Sequence, residues 1–167
     1  MNKKGLIIVF TGDGKGKTTA AMGTALRMIA HGGKVGAVHF FKPRTSCAVL
    51  GSQYKSWSFG GGFTWKTERK ENARAVQKAW EQCCELLRSP QYDLVILDEI
   101  HIALQCKFLK VAEVIKTLKR RPLAQHVILT GRSAPPRIIR LADLVTEMKC
   151  VKHPFKRGLP AQPGIEF

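Results

Sequence analysis

A run of five apolar residues, Leu6 to Phe10, leads directly into the segment Thr11 to Thr19, which reads Thr-Gly-Asp-Gly-Lys-Gly-Lys-Thr-Thr. A stretch that favours a helix, Ala20 to Arg27, follows at once. A strand, a glycine-rich turn and a helix in this order predict a loop that binds a triphosphate. Glycines let the backbone N–H groups point inward, and the helix N-terminus adds partial positive charge. The segment therefore predicts an α/β nucleotide-binding domain.

Within this phosphate loop, Lys17 supplies an ammonium group and Thr18 a hydroxyl group that can bind a metal ion. The spacing is irregular, because Thr11 stands five residues before Gly16, where such loops usually carry a glycine. The nearest glycine, Gly12, comes one residue late. We therefore expect the loop to hold its nucleotide in an unusual manner. The candidate nucleotide-binding residues of the loop are Gly12, Asp13, Gly14, Lys15, Gly16, Lys17, Thr18 and Thr19.

Two further segments carry side chains suited to a nucleotide site. The apolar run 94–97 ends in Asp98 and Glu99, and acids at such a position hold Mg²⁺ directly or through water. We expect Asp98 to be the better metal ligand, whereas Glu99 is either a metal ligand or, in a hydrolase, the base that orients water. Arg132 follows the apolar run 127–129 and can neutralise a phosphate. The alternative for Arg132 is a surface arginine after a turn.

Short apolar runs alternate with helical patterns along the chain, which predicts a single domain, residues 1–167, with a mostly parallel sheet covered by helices on both faces. We expect one helix between Glu68 and Ser89, with Trp80 in the core. Another is expected from about Leu109 to Leu118, and a short one from Pro135 or Pro136. The expected strands are Leu6–Phe10, Val35–Phe41, Leu94–Leu97, Val127–Leu129 and Leu144–Val145.

Two stretches lack this regular pattern. The stretch from Pro43 to Thr67 contains glycines and aromatic residues, including Phe63 and Trp65. We expect it to be a long loop that serves a ligand, a lid or a partner. The tail from Lys152 to Phe167 carries prolines and little periodicity. We expect this tail to be irregular and to pack over the site or a partner subunit.

The chain is strongly basic, with 28 Lys and Arg residues against 12 Asp and Glu residues and a net charge of +16. Such a charge favours polyanionic partners such as nucleotides, RNA or acidic surfaces. No acid occurs from Gly14 to Thr67, so this half of the molecule is expected to carry a positive field. A second basic run closes the helix expected near Leu118, where cations complement the helix dipole, and we expect a solvated face there. This run comprises Lys116, Lys119, Arg120 and Arg121.

The five cysteines have no C-x-x-C spacing, which argues against a disulfide framework or a zinc site and favours reduced thiols in a cytosolic protein. The apolar run 6–10 is too short for a signal peptide or a membrane span, and no other segment approaches membrane length. We therefore expect a cytoplasmic protein without membrane contact. The five histidines show no metal-ligand spacing, although His101 lies two residues past Glu99.

Segments spread over most of the chain form one further pattern. They are Gly5–Gly12 with the phosphate loop, Gly62–Trp65, Leu97–Glu99 with Ile102–Leu104, Thr130–Arg132, Ala142–Met148, Val151–Phe155 and Gly164–Phe167. In their order and spacing they resemble one family, the P-loop ATP:corrinoid adenosyltransferases of the cobalamin pathway. The resemblance implies a homodimeric, three-layer RecA-like domain. Such a domain moves the 5′-deoxyadenosyl group of ATP to the cobalt of a reduced corrinoid and releases triphosphate.

The resemblance also implies roles for individual residues. Lys17 and the loop bind the triphosphate as a leaving group, and Thr18 with the acid pair Asp98-Glu99 serves Mg²⁺ or Mn²⁺. An irregular phosphate loop fits this chemistry, because attack occurs at the ribose C5′ and not at phosphorus. Phe63 and Trp65 match an aromatic pair thought to displace the lower axial ligand of cobalt, which makes Co(II) easier to reduce. A Co(II) or flavin reductase is then the implied partner.

The chain departs from the family pattern at several positions. Asp13 and His101 stand where family members usually carry Asn, Glu68 stands where they carry Gln, and the segment from Pro43 to Ser58 aligns poorly. An acid at position 13 opposes phosphate binding unless it turns outward or contacts a metal.

Two other functions compete with the adenosyltransferase interpretation. The charge and the loop aromatics suggest a nucleic-acid-dependent P-loop ATPase or an RNA-binding module. An inactive relative would bind its ligands without turnover. The ordered segments favour the adenosyltransferase, because the basic excess is only compositional.

Overall fold

The computed structural model describes residues 4–42, 50–60 and 68–165. The strands are β1 (Ile7–Thr11), β2 (Val35–Phe40), β3 (Tyr54–Phe59), β4 (Leu94–Asp98), β5 (His126–Thr130) and β6 (Leu144–Glu147). The helices are α1 (Lys17–Ala30), α2 (Arg69–Arg88), α3 (Ile100–Gln105), α4 (Val111–Lys119) and α5 (Pro136–Leu141). All five predicted strands are present, with ends that differ by a few residues.

The strands form one sheet in the order β3-β2-β4-β5-β1-β6. Every neighbouring pair in it runs parallel, which confirms the predicted parallel sheet. Because parallel strands point the same way, their carboxyl ends meet at one edge, where open α/β sheets bind ligands. The phosphate loop follows β1 and the acid pair follows β4. Since β5 lies between these two strands, all three predicted site segments leave the sheet side by side.

Helices cover both faces of the sheet, as predicted. Along β4, Leu94 and Ile96 pack with α1 on one face, whereas Val95 and Leu97 pack with α2, α4 and α5 on the other. Every residue of β4 is buried. Burial on both faces explains why this strand appears in the sequence as an unbroken apolar run and not as an alternating pattern.

The predicted helices are present close to their expected positions. Trp80 of α2 is only 4% exposed and packs in the core, which confirms its predicted place. Its indole Nε1 donates a hydrogen bond to Glu113 Oε1 of α4 at 2.8 Å, which ties the two helices together. The short helix α5 begins at Pro136, where proline is tolerated because the first helical N–H has no intrahelical partner.

Three features of the chain trace differ from the predictions. Strand β3 lies inside the stretch expected to be a long loop, so that prediction is wrong for residues 54–59. This strand is at the sheet edge and its sequence, Tyr-Lys-Ser-Trp-Ser-Phe, mixes polar and aromatic residues, which hides it from a search for apolar runs. Strand β2 ends at Phe40, because Phe41 takes a left-handed conformation with φ of 57°. The six-residue helix α3 had no predicted counterpart.

The basic run at the end of α4 divides into two parts. Lys116, Lys119 and Arg120 are exposed, as expected. Arg121 is partly buried, so the expectation of a solvated side chain is wrong for this residue. Its guanidinium donates hydrogen bonds to backbone carbonyls of Leu118, Gln125 and Gly5. These bonds fasten the end of α4 to the residues just before β5 and just before β1.

From residue 148 to residue 165 the chain is irregular apart from a 3₁₀ turn at Pro154–Arg157. It returns to the phosphate loop, where Lys15 Nζ donates a hydrogen bond to the carbonyl of Ile165. The cysteines at 83, 84, 106 and 150 are free thiols. No helix in the described ranges has the length and apolar character that a membrane crossing requires.

We predict that Gln125→Met lowers the free energy of unfolding by about 2 kcal/mol or more. Gln125 is 2% exposed, and its Nε2 donates to the carbonyls of Leu86, Ser89 and Tyr92, which close the end of α2. The substitution removes the one side-chain donor that these three carbonyls share. Urea unfolding followed by circular dichroism measures the effect. Gln105→Met, on an exposed position of α3, is the control and should change stability by less than about 0.5 kcal/mol.

Candidate active site

The phosphate loop joins β1 to α1 at the carboxyl edge of the sheet. Gly16 precedes the helix in a left-handed conformation with φ of 107°, which favours glycine. The first intrahelical bond runs from the Ala20 N–H to the Gly16 carbonyl. The N–H groups of Lys17, Thr18 and Thr19 therefore precede the helical ladder and point out of the N-terminus of α1. This geometry suits a triphosphate, as the sequence predicted.

The shape of the loop is set by the chain that follows β6. The Gly14 N–H donates to the Met148 carbonyl at 2.7 Å, and the Met148 N–H donates to the Thr11 carbonyl at 2.8 Å. A Cβ atom on Gly12 would lie 2.4 Å from the Met148 carbonyl oxygen, and one on Gly14 would lie 2.7 Å from it. The glycine that comes one residue late in the sequence is thus required by this close approach of two backbones.

Lys17 lies across the loop. Its side chain is nearly buried, and Nζ donates to the carbonyls of Gly12 at 2.8 Å and Gly14 at 2.6 Å. Burial lowers the pKa of Lys17, although the charge of Glu99 opposes this shift. Lys42 and Arg132 also lie close enough for their charges to lower this pKa further.

Asp98, at the end of β4, is fully buried and accepts hydrogen bonds on both of its oxygens. Oδ1 accepts from the hydroxyls of Thr18 at 2.9 Å and Thr130 at 2.7 Å. Oδ2 accepts from Lys42 Nζ at 2.7 Å and lies 2.9 Å from His39 Nδ1. Asp98 therefore connects the phosphate loop to the ends of β2 and β5.

The ionisation of Asp98 follows from these partners. Burial by itself would raise the pKa of Asp98, but the hydrogen bond from His39 and the positive charge of Lys42 outweigh burial. The pKa of Asp98 is therefore held well below its ordinary value, and the group is a carboxylate at neutral pH.

Glu99 follows in a left-handed conformation, with φ of 65°, and its N–H donates to Thr130 Oγ1 at 2.8 Å. Its Oε2 atom is buried and has no hydrogen-bond partner among the residues that the structure describes. Burial and the adjacent charge of Asp98 raise the pKa of Glu99, whereas nearby cations oppose the shift. Glu99 is thus the carboxylate whose oxygen is open to a ligand.

Two other predicted site residues also lie at this edge. Arg132 is exposed, and its charge lowers the pKa values of both Lys17 and Glu99. It therefore lies beside the phosphate loop and not on a remote surface. Asp13 is exposed to solvent, although its charge still raises the pKa of Lys17. Phe63 and Trp65 lie outside the described residues.

His101, near Glu99, is completely buried, and within the described part of the chain neither ring nitrogen has a hydrogen-bond partner. Burial lowers the pKa of His101 to about 4, so the ring is neutral at physiological pH. Gly131 allows α3 to approach, because a Cβ there would lie 2.9 Å from the His101 Cβ.

The donor set fits a hard divalent cation such as Mg²⁺ or Mn²⁺. The Thr18 hydroxyl and the unpaired, buried Oε2 of Glu99 are oxygen ligands of the kind that these ions prefer. Asp98 already accepts from four groups, so it is better placed to hold Thr18 than to bind the ion itself. The described residues contain no group of three or more His, Cys, Asp or Glu suited to a metal. An ion here would take most of its ligands from phosphates and water.

Sequence reasoning missed two members of this site, Lys42 and His39. Both become neighbours of the acid pair because β2 lies beside β4 with His39 opposite Asp98 in the register. The sequence did offer one indication of a site residue, because Lys42 stands two residues past the end of β2.

The model of the family described as ATP:corrinoid adenosyltransferase BtuR/CobO/CobP matches residues 3–167. The chain belongs to this family. A corrinoid adenosyltransferase from Sinorhizobium sp is 45% identical to it over 175 residues, covering 99% of this chain and 82% of the relative. The corrinoid adenosyltransferase of Pseudomonas aeruginosa is 40% identical, and the match covers 99% of this chain and 85% of that relative. That of Escherichia coli strain K12 is also 40% identical, covering 99% and 87%.

Solved structures share the fold of this adenosyltransferase family member at much lower identity. The flagellar accessory protein FlaH from Methanocaldococcus jannaschii has a TM-score of 0.57 at 12% identity, covering 87% of this chain and 71% of FlaH. The RadB recombinase has a TM-score of 0.53 at 17% identity, covering 91% and 78%. These similarities concern the fold alone, and they confirm the predicted RecA-like architecture.

We predict that Gly14→Ala weakens ATP binding by about tenfold or more, because the new methyl group forces the loop away from Met148. Isothermal titration calorimetry measures the affinity. Gly23→Ala is the matched control, since a Cβ at that exposed position of α1 meets none of the described residues within 4 Å. The control should leave affinity unchanged and raise the free energy of unfolding by about 0.5–1 kcal/mol. Equal affinity of both variants would show that Met148 does not set the loop.

Proposed function

We propose that this protein transfers the 5′-deoxyadenosyl group of ATP to the cobalt of a reduced corrinoid and releases triphosphate. The electron pair of Co(I) forms the new cobalt–carbon bond at C5′, and the C5′–O bond breaks with its electrons going to the triphosphate. Membership of the adenosyltransferase family along nearly the whole chain supports this reaction. The same reaction would serve cobalamin biosynthesis or salvage.

The observation that carries the proposal is the convergence of cationic groups on one loop. Lys17 lies in the phosphate loop, and Lys42 and Arg132 both lie near it. The N-terminus of α1 adds partial positive charge. A triphosphate leaving group gains negative charge as the C5′–O bond breaks, so fixed positive groups around it lower the barrier. Lys17 and the loop amides are therefore assigned to triphosphate binding, and Arg132 to the neutralisation of its charge.

We assign Thr18 and Glu99 to direct binding of Mg²⁺ or Mn²⁺, and Asp98 to holding Thr18 in position. Such an ion, when bound with the nucleotide, neutralises phosphate oxygens. The buried, unpaired Glu99 Oε2 and the 2.9 Å bond from Thr18 to Asp98 support these assignments.

We assign Phe63 and Trp65 to displacement of the lower axial ligand of cobalt. Support comes from the family resemblance and from β3, whose parallel pairing with β2 brings Phe59 to the carboxyl edge of the sheet. The aromatic pair follows within six residues of that edge. The corrinoid would therefore meet the nucleotide where β1, β2, β3 and β4 end.

The family resemblance further supports a cytoplasmic homodimer that receives electrons from a Co(II) or flavin reductase. Exposed apolar side chains of the edge strand β6, Leu144 and Val145, offer a surface that a second copy would cover. Sedimentation equilibrium measures the oligomeric state directly.

We predict that the protein, incubated with ATP, Mg²⁺ and chemically reduced cobalamin, yields adenosylcobalamin and triphosphate in equal amounts. Absorbance spectra detect the first product and ion chromatography the second. Release of phosphate or diphosphate without triphosphate would refute the proposal. ATP hydrolysis stimulated by RNA, and lost steeply with added salt, would instead support the nucleic-acid-dependent ATPase.

We predict that Trp65→Ala slows adenosylation much more when the corrinoid is supplied as Co(II) with a reductant than when it is supplied as Co(I). Displacement of the lower axial ligand aids only the reduction of Co(II). The loss of rate with Co(II) should therefore exceed the loss of rate with Co(I) by about tenfold or more. Parallel assays with the two forms measure both rates. Equal losses would mean that Trp65 serves only loop packing.

A further inference from the structure

Lys42 is a cation held directly at the proposed metal site. Its Nζ donates to Thr18 Oγ1 at 2.9 Å and to Asp98 Oδ2 at 2.7 Å, and it lies 3.9 Å from Glu99 Oε1. An ammonium group has three donors and a compact charge. Here it faces the same oxygen-bearing side chains that were assigned to the divalent ion and its support.

The local backbone directs Lys42 to this position. Strand β2 ends at Phe40, and Phe41 turns the chain in a left-handed conformation that non-glycine residues rarely adopt. Phe41 is buried, and Gly60 approaches it so closely that a Cβ on Gly60 would lie 3.0 Å from the Phe41 Cα. Strained backbone of this kind persists only where the surrounding structure holds it, and it concentrates at functional sites.

An ammonium and a divalent ion cannot both occupy this position. The Thr18 hydroxyl donates its proton to Asp98 and accepts from Lys42, so its oxygen is already occupied. The Lys42 side chain is 30% exposed, in contrast to the buried Asp98, and it already contacts Thr18 of the phosphate loop.

We propose that the Lys42 ammonium neutralises the acid pair while nucleotide is absent and moves to the triphosphate oxygens when ATP binds, with the divalent ion, where present, replacing it at the acid pair and supplying part of the same countercharge. The inference rests on the proposed function only in that the loop binds ATP with a metal. Lys42 is then a phosphate-binding residue that shares the countercharge with the ion. A purely structural ion pair between β2 and β4 would stay in place throughout.

The test compares ATP affinity with and without the metal. For each variant, calorimetry gives the dissociation constant for ATP in Mg²⁺ and in EDTA. The readout is the dissociation constant in EDTA divided by the dissociation constant in Mg²⁺. Lys42→Met should raise this ratio by about tenfold or more, because metal-free triphosphate then loses its nearest mobile countercharge. Lys55→Met, on an exposed position of β3 in the same acid-free stretch, is the matched control and should leave the ratio within about twofold of the wild type.

A ratio for Lys42→Met that stays within about twofold of the wild type, as equal weakening under both conditions would give, would overturn the proposal. Thermal unfolding confirms that each variant is folded. If Lys42→Met does not fold, Lys42→Gln, which keeps a donor and removes the charge, replaces it. If neither variant folds, Lys42 is required for folding, and this outcome would also overturn the proposal. ATP binding without formation of adenosylcobalamin would refute the proposed reaction, yet the ratio would still decide the role of Lys42.

Discussion

The buried carboxylate of Asp98 is the interaction on which the active site depends. It accepts from Thr18, Thr130 and Lys42 and pairs with His39, so elements that leave four different strands are held at one point. A buried charge is costly unless it is paired and hydrogen-bonded, and here every lone pair has a partner. The hydrogen bonds of this one carboxylate therefore position the phosphate loop, β2 and β5 relative to one another.

Most of the fold could be predicted from the sequence because it rests on local signals. The phosphate loop and the acid pair are contiguous motifs, and β4 is an unbroken apolar run buried on both faces. Strand β3 escaped prediction because an edge strand tolerates polar residues. Lys42 and His39 escaped it because their contacts with Asp98 arise from strand register, which no local pattern encodes. Arg121 was misassigned because a charge run gives no sign of which member reaches buried carbonyls.

Strain is concentrated at the carboxyl edge of the sheet. Among the described non-glycine residues with positive φ, Phe41 follows β2, Glu99 follows β4 and Ser133 lies shortly after β5. Each of these residues accompanies a side chain of the site: Lys42, Glu99 itself or Arg132. Straight continuation of the strands would carry these charges past the nucleotide, whereas left-handed turns redirect them across the edge. The sheet provides the rigid frame, and its strained ends aim the charged groups.

The backbone bonds between Met148 and the phosphate loop have a consequence for biosynthesis of the protein. Gly14 and Met148 are separated by most of the chain, yet the loop takes its shape only against that late segment. Contacts of such long sequence separation form late in folding, because the loop-closure entropy must first be overcome. A nascent chain on the ribosome therefore carries the whole phosphate-loop motif without a finished site. Chains that end before Met148 lack the partner that shapes the loop, so we expect them to bind ATP more weakly.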